Sequence, residues 1–74
     1  MYLQNSDIRH WVRVISIEGG ESVAERLGQL GIFPGAVAQV VRKAPFGGPV
    51  LVEVNGLEIA LSRNIASKVL VEAE

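Results

Sequence analysis

The side chains most often recruited for hydrolytic or acid–base chemistry are thinly spread in this sequence: five serines, one histidine and a scatter of carboxylates, with no cysteine. Nucleophilic catalysis needs a serine held beside a base. Ser6, Ser16, Ser22, Ser62 and Ser67 lie outside any G-x-S-x-G setting, and the sole histidine, His10, sits in the first segment. Helix caps and turns are the ordinary roles of such serines. Glu18, Glu21, Glu25, Glu53, Glu58 and Glu72 are distributed over predicted strand faces and a helix, where carboxylates are normally solvated. A borderline divalent ion requires imidazole or thiolate ligands at fixed spacing. His10 with Asp7 offers only an open, oxygen-rich pairing, and a surface histidine next to Trp11 is the commoner arrangement. The glycines form neither G-x-x-x-x-G-K-[ST] nor a G-x-G-x-x-G after a strand, so they do not cradle a phosphate. The expectation is a protein that is not an enzyme, with no catalytic residue, no metal site and no cofactor.

The elements that position these residues must fit into 74 residues, which bounds the chain to one domain, 1–74, with its core over about 12–72. Apolar residues make up 49% and charged residues 20%. Without cysteines there are no disulfides and little scope for a structural zinc, so packing has to supply the stability. The cysteine-free composition is that of a cytoplasmic domain. Apolar runs are short and Arg9, His10 and Arg13 interrupt the N-terminal half, so no membrane-spanning helix or signal peptide is read. Seven Lys and Arg against eight Asp and Glu give a net charge of -1, which supplies no footprint for nucleic acid.

Met1 to Asp7 has no period and reads as a loosely ordered lead-in from which Leu3 or Ile8 tucks against the core. "VRVISIE", Val12 to Glu18, alternates as a half-buried strand and ends at Gly19-Gly20. In "ESVAERLGQLG", Ser22 and Glu25 have capping-box spacing, and Val23, Leu27 and Leu30 share one helical face; Gly31 suits a left-handed C-terminal cap. The predicted helix runs roughly from Val23 to Leu30. Pro34-Gly35 has the signature of a type II turn into a strand over Val37 to Lys43. "APFGGP" follows as a stiff loop, then a strand over Val50 to Val54, an Asn55-Gly56 hairpin turn and a returning strand "LEIAL". Ser62 caps a single helical turn before a last strand over Lys68 to Glu72. The fold class is mainly β: a small five-stranded SH3-like barrel with a short plug helix between strands 1 and 2 and one helical turn before the last strand. Val14, Val40, Val52, Val54, Ile59, Leu61 and Val69 are the expected interior, covered by Val23, Leu27 and Leu30.

Small barrels bind single-stranded nucleic acid with stacked aromatics along a basic groove. Tyr2, Trp11, Phe33 and Phe46 lie in separate segments without alternating basic residues, so neither that groove nor a proline-peptide groove is indicated. Protein binding remains. Phe46, in a loop stiffened by Pro45, Gly47, Gly48 and Pro49, is either an anchor for a partner or a ring folded back over the rim. Pro45 with Phe46, and Arg26 and Arg42 from a polar rim that also offers Lys43 and Arg63, are the candidate partner-binding residues.

The combination "RLGQLGIFPG" and "VVRKAPFGGPVLVEVNGLEIALSRNIASKVLV" resembles the FeoA family, small SH3-like proteins that accompany the bacterial ferrous-iron transporter FeoB. The matching features are Arg26-Leu27, Leu30-Gly31-Ile32, Pro34-Gly35, Ala44-Pro45 with Gly47 and Pro49, Gly56, Ile59 to Arg63 and Val69-Leu70-Val71, spanning Val12 to Val71. "DIRHWV" departs from the Pro-Gly-type entry usual in the family. The resemblance implies an accessory or regulatory role in ferrous-iron uptake through contact with the cytoplasmic part of FeoB, without direct membrane insertion and without nucleic acid. Two alternatives from other classes are the C-terminal SH3-like domain of a metal-dependent transcriptional repressor and a small nucleic-acid-binding barrel. The chain carries no helix-turn-helix, and it reads as a complete small protein from Met1 to an end two residues past the last predicted strand.

Overall fold

The strands form where apolar, often β-branched, residues alternate with polar ones, and the chain breaks between β1 and β4 carry residues at positive φ. The computed structural model describes all 74 residues. The strands are β1, Trp11–Ile17; β2, Val37–Lys43; β3, Val50–Val54; β4, Leu57–Leu61; and β5, Val69–Ala73. The helices are α1, Glu21–Gln29, and α2, Arg63–Ala66. All neighbouring strands pair antiparallel in the order β4-β3-β2-β1-β5. The inward faces of all five meet in one core of 14 buried side chains, to which β1 gives Val12 and Val14, β2 gives Val40, β3 gives Val50, Val52 and Val54, and β5 gives Val69 and Val71. The SH3-like barrel is thus a curled sheet. β4 and β5 are its two edges and do not pair with each other.

Two bulges explain where the sequence alternation fails. In β1 the apolar order Val12, Val14, Ile15, Ile17 cannot place every residue inward. A register shift between Val14 and Ser16 leaves Ile15 exposed and brings Ile17 opposite buried Val69. In β2 a second shift between Val40 and Arg42 absorbs Val41. The expected interior is formed except at Ile59, which is half-buried and packs against the core from edge strand β4.

Three expectations are corrected. The Ser22–Glu25 capping box is absent: α1 starts at Glu21 from Gly20, whose φ of 92° places it outside helical space, and no side chain caps the first turn. Two consecutive glycines let the chain turn sharply enough to begin the helix before Ser22. Leu30 does not plug the barrel; it is the C-cap residue and is 42% exposed, and Leu27 is the buried contact. The N-terminal lead-in is ordered. A 3-10 turn over Leu3–Asn5 buries Leu3 completely, Tyr2 bridges Leu70, and the Val71 amide donates to Met1 O at 2.7 Å. Main-chain pairing along β5, rather than side-chain periodicity, orders this segment.

Gly31 closes α1 as expected. With φ 92° it donates to Gly28 O at 3.0 Å, while the Ile32 amide donates to Leu27 O at 2.9 Å, the paired bonds of a Schellman cap. Leu27 and Ile32 are thereby delivered together into the core. At the hairpin between β3 and β4, Asn55 (φ 53°) and Gly56 (φ 77°) form the expected I′ geometry.

Truncating Leu27 or Leu3 to alanine is expected to cost about 2–5 kcal/mol each, as for other large buried aliphatic residues. Chemical denaturation checks this; a near-zero change for Leu3→Ala would mean that the N-terminal turn is not part of the core. The lone tyrosine gives a second measurement. The Tyr2 hydroxyl donates to Glu18 Oε2 at 2.6 Å, and this bond, with burial and the Glu18 charge adding to it, raises the phenol above its usual 10.0. Stability resting on the bond is intact below pH 10.0 and is lost as pH rises through the raised value. Phenolate absorbance should therefore titrate above 10.0 and move back towards it in Glu18→Ala.

Candidate functional site

The β2–β3 connection is a hairpin loop in which the main chain closes on itself twice. The Ala44 amide donates to Pro49 O at 2.9 Å, and the Gly48 amide donates to Pro45 O at 3.1 Å. Phe46 and Gly47 occupy the two central positions of the inner turn with φ values of 58° and 71°. Glycine, asparagine or aspartate ordinarily fills such positions, because a side chain at positive φ crowds the following carbonyl. A bulky aromatic at φ 58° is therefore a local conflict. It gains no compensation from burial, since Phe46 is 103% exposed. The ring does not fold back over the rim.

Arg63, the first residue of α2, fixes this loop from outside. Its Nε donates to Gly48 O at 3.2 Å and one terminal nitrogen donates to Ala44 O at 3.1 Å. The expected place of Arg63 in a polar rim is thus corrected: its guanidinium is spent on two loop carbonyls. Ser62 sets α2 in position by accepting from the Ile65 amide at 3.2 Å, as its capping role predicts. Gly48 is required sterically, because a Cβ there would lie 2.8 Å from the Ala44 Cβ and 3.1 Å from Pro45 O. Prolines, a glycine contact and an arginine fork together present Phe46 on a rigid mount.

The other two candidate residues lie apart from this turn. Arg42 is exposed on the outer face of β2, opposite Leu51 and next to the bulge. Arg26 stands on α1, in the wall of an open groove of about 430 Å³ between α1 and the junction of β4 with α2. Val23, Leu27 and Leu30 form one wall of that groove, and Ala60, Leu61 and Ile65 form the other. α2 is the border between groove and loop, since it contributes Ile65 to the one and Arg63 to the other. Residue types in the sequence did not point to the groove; its only signal was an apolar Leu30 at the very end of a helix that already had Leu27 for its core contact.

Catalytic and metal chemistry find no assembled group. Asp7, His10 and Glu74 border one surface hollow, but Glu74 is held by Arg13 in a two-pronged ion pair at 2.6 and 3.1 Å. No three His, Cys, Asp or Glu side chains converge in a metal-binding arrangement. Tyr2, Trp11, Phe33 and Phe46 sit on separate elements, and no helix is long and apolar enough to cross a membrane.

Comparison with known proteins gives a consistent result. The chain matches the FeoA domain family over residues 1–73. It is 36% identical over 61 residues to a protein of Methanocaldococcus jannaschii assigned as an Fe(2+) transport protein A, covering 82% of this chain and 72% of that one. The solution structure of a FeoA protein from Chlorobium tepidum superposes with a TM-score of 0.89 at 33% identity, over 99% of this chain and 70% of the other. The zinc complex of FeoA from Stenotrophomonas maltophilia, described as a prokaryotic SH3 domain protein, gives a TM-score of 0.81 at 30% identity over 97% and 89%. The manganese regulator SloR shares the fold alone, at 14% identity with a TM-score of 0.85 over 34% of its chain.

Because Phe46 contributes exposure and strain but no packing, replacing it should not weaken the fold. Phe46→Gly is expected to leave the denaturation midpoint unchanged or raise it, by up to about 1 kcal/mol from relief of the positive φ. A loss of about 3 kcal/mol or more, the cost of truncating a buried phenylalanine, would place the ring in the core in solution.

Proposed function

Since the chain belongs to the FeoA family, we propose that it is an accessory protein of ferrous-iron transport that acts by binding the cytoplasmic portion of the transporter FeoB. The reading takes the protein to be cytoplasmic and non-enzymatic. Its support from the chain itself is one observation: an aromatic residue held fully exposed at an unfavourable φ, on a loop braced by Arg63. Strain of this kind persists where the surrounding structure enforces it, and it clusters at functional positions. An aromatic anchor on a braced backbone loses little main-chain entropy on binding, which suits a recognition contact.

In this reading Phe46 is the anchor, Pro45 stiffens the turn beneath it, and Arg42 on the same hairpin supplies a cation at the rim. Arg26 supplies a second cation across α2. Iron is the cargo of the transporter rather than a ligand of this chain, and the role is exerted through protein contact. Relatives crystallised with zinc, such as the Stenotrophomonas maltophilia protein, are consistent with an iron-transport family without assigning a metal site here.

Titration of the protein against the isolated cytoplasmic portion of FeoB is the direct test. Phe46→Ala should weaken binding at least about thirtyfold, the range of an interface hot spot of about 2 kcal/mol. Arg42→Ala at the rim should weaken it less and make it less sensitive to salt. Unchanged affinity in a folded Phe46→Ala variant would remove the loop from the interface, and no binding by the parent protein would remove FeoB as the partner.

A further inference from the structure

A sheet with two edges must deal with two rows of unpaired backbone groups, and this one treats them differently. Along β5 the chain's own N-terminus covers the edge: Tyr2 bridges Leu70, the Val71 amide donates to Met1 O, and the terminal ammonium donates to Val71 O at 3.1 Å. Along β4 nothing pairs. The I′ turn at Asn55-Gly56 makes Val54 and Leu57 a hydrogen-bonded pair, so the alternation of an antiparallel ladder makes Val52 with Ile59 and Val50 with Leu61 the next such pairs. Glu58 and Ala60 fall between them, and their N–H and C=O groups point away from β3. No turn, loop or side-chain hydrogen bond takes them up.

α1 flanks this open edge. At one end of β4 a Cβ on Gly31 would lie 3.2 Å from Asn55 Nδ2 and 3.9 Å from the Val54 methyls. At the other end Val23 and Arg26 face Ala60 and Ile65 across the groove. The result is a mainly apolar trough with α1 on one side and Ala60, Leu61 and Ile65 on the other; it reaches the open edge at Ala60, and Glu58 lies farther along that edge, outside the lining. Its volume of about 430 Å³ falls within the usual range of ligand sites, about 300–1,000 Å³.

We propose that this trough accepts an extended segment of a partner protein, which adds as a sixth strand beside β4. The main chain of the segment would pair with Glu58 and Ala60, and alternate apolar side chains would enter the trough beside Val23, Leu30 and Ile65. The occupant is a lone strand rather than the edge of a second copy. A second copy pairing through its own β4 would bring another Glu58 towards this one, and like charges facing each other across a strand pair are destabilising. Charge selects further. Arg26 is the one charged residue lining the trough and makes no ion pair, the molecule's single salt bridge being that of Arg13 with Glu74. An acidic residue beside the apolar ones completes the match. The inference is independent of Phe46 and of the identity of the transporter.

The test uses the intact protein and a set of blocked synthetic peptides in which valine alternates with threonine and one glutamate is included. In amide correlation spectra the peptides should shift Glu58 and Ala60 and slow the hydrogen exchange of both amides about tenfold. Methylating alternate peptide nitrogens, which removes pairing donors while keeping the side chains, should weaken binding about tenfold. Leu30→Glu at a half-exposed position should do the same without unfolding, and Arg26→Glu should shift preference from the glutamate peptide to one with lysine in its place. The proposal is overturned if no alternating peptide moves Glu58 and Ala60, if N-methylation or Leu30→Glu leaves affinity unchanged, or if the same two amides shift with protein concentration alone, which would make a second copy the occupant.

Discussion

Leu27 and Ile32 are joined by a backbone hydrogen bond across the end of α1 and enter the same core. That junction carries more of the structure than its size suggests. With no disulfide to hold the chain, the barrel must be sealed by apolar side chains, and a nine-residue helix on its own would be marginal in water. Fixing the helix end to the core through Gly31 gives α1 one definite seat. That seat sets α1 opposite the junction of β4 with α2, so the trough between them follows from a capping geometry and not from any polar residue in it.

The same economy explains the other irregularities. A curled five-stranded sheet cannot keep every strand in perfect alternation, and the bulges at Ile15 and Val41 are where the twist is accommodated. Both follow from the need to return Ile17 and Lys43 to the register that their partners on β5 and β3 require. The curl leaves edges at β4 and β5, and the first residues of the chain are used to cover only one of them.

Phe46 stands out against this economy because it violates a local preference without improving the packing. At most other positive-φ positions residue type and geometry agree, with Gly31, Gly35, Asn55 and Gly56 supplying the conformation demanded of them; Arg9, at φ 66°, is a second exception, and its amide donates to Val40 O at 2.7 Å. The main-chain bond accounts for Arg9, whereas Phe46 is braced by Arg63 and gains no packing, and departures of that kind are expected at functional or strained positions. The family to which the chain belongs is named for iron transport.

Local chemistry made much of the fold legible in the sequence. Strand positions, the Gly31 cap, the Pro34-Gly35 and Asn55-Gly56 turns and the Ser62 cap are short-range consequences of φ preference and side-chain alternation, and such signals are written within a few residues. The order of the N-terminal segment was not legible, because its partner lies some seventy residues away on β5 and Leu3 shows no period. Arg63 read as a surface cation because the carbonyls it holds belong to a loop more than a dozen residues earlier. The loop could be singled out from its prolines and glycines, but whether Phe46 turned inward or outward could not. That choice, like the open edge of β4 beside α1, was decided by how distant elements pack, since burial and edge pairing are properties of the assembled chain and not of any short stretch of it.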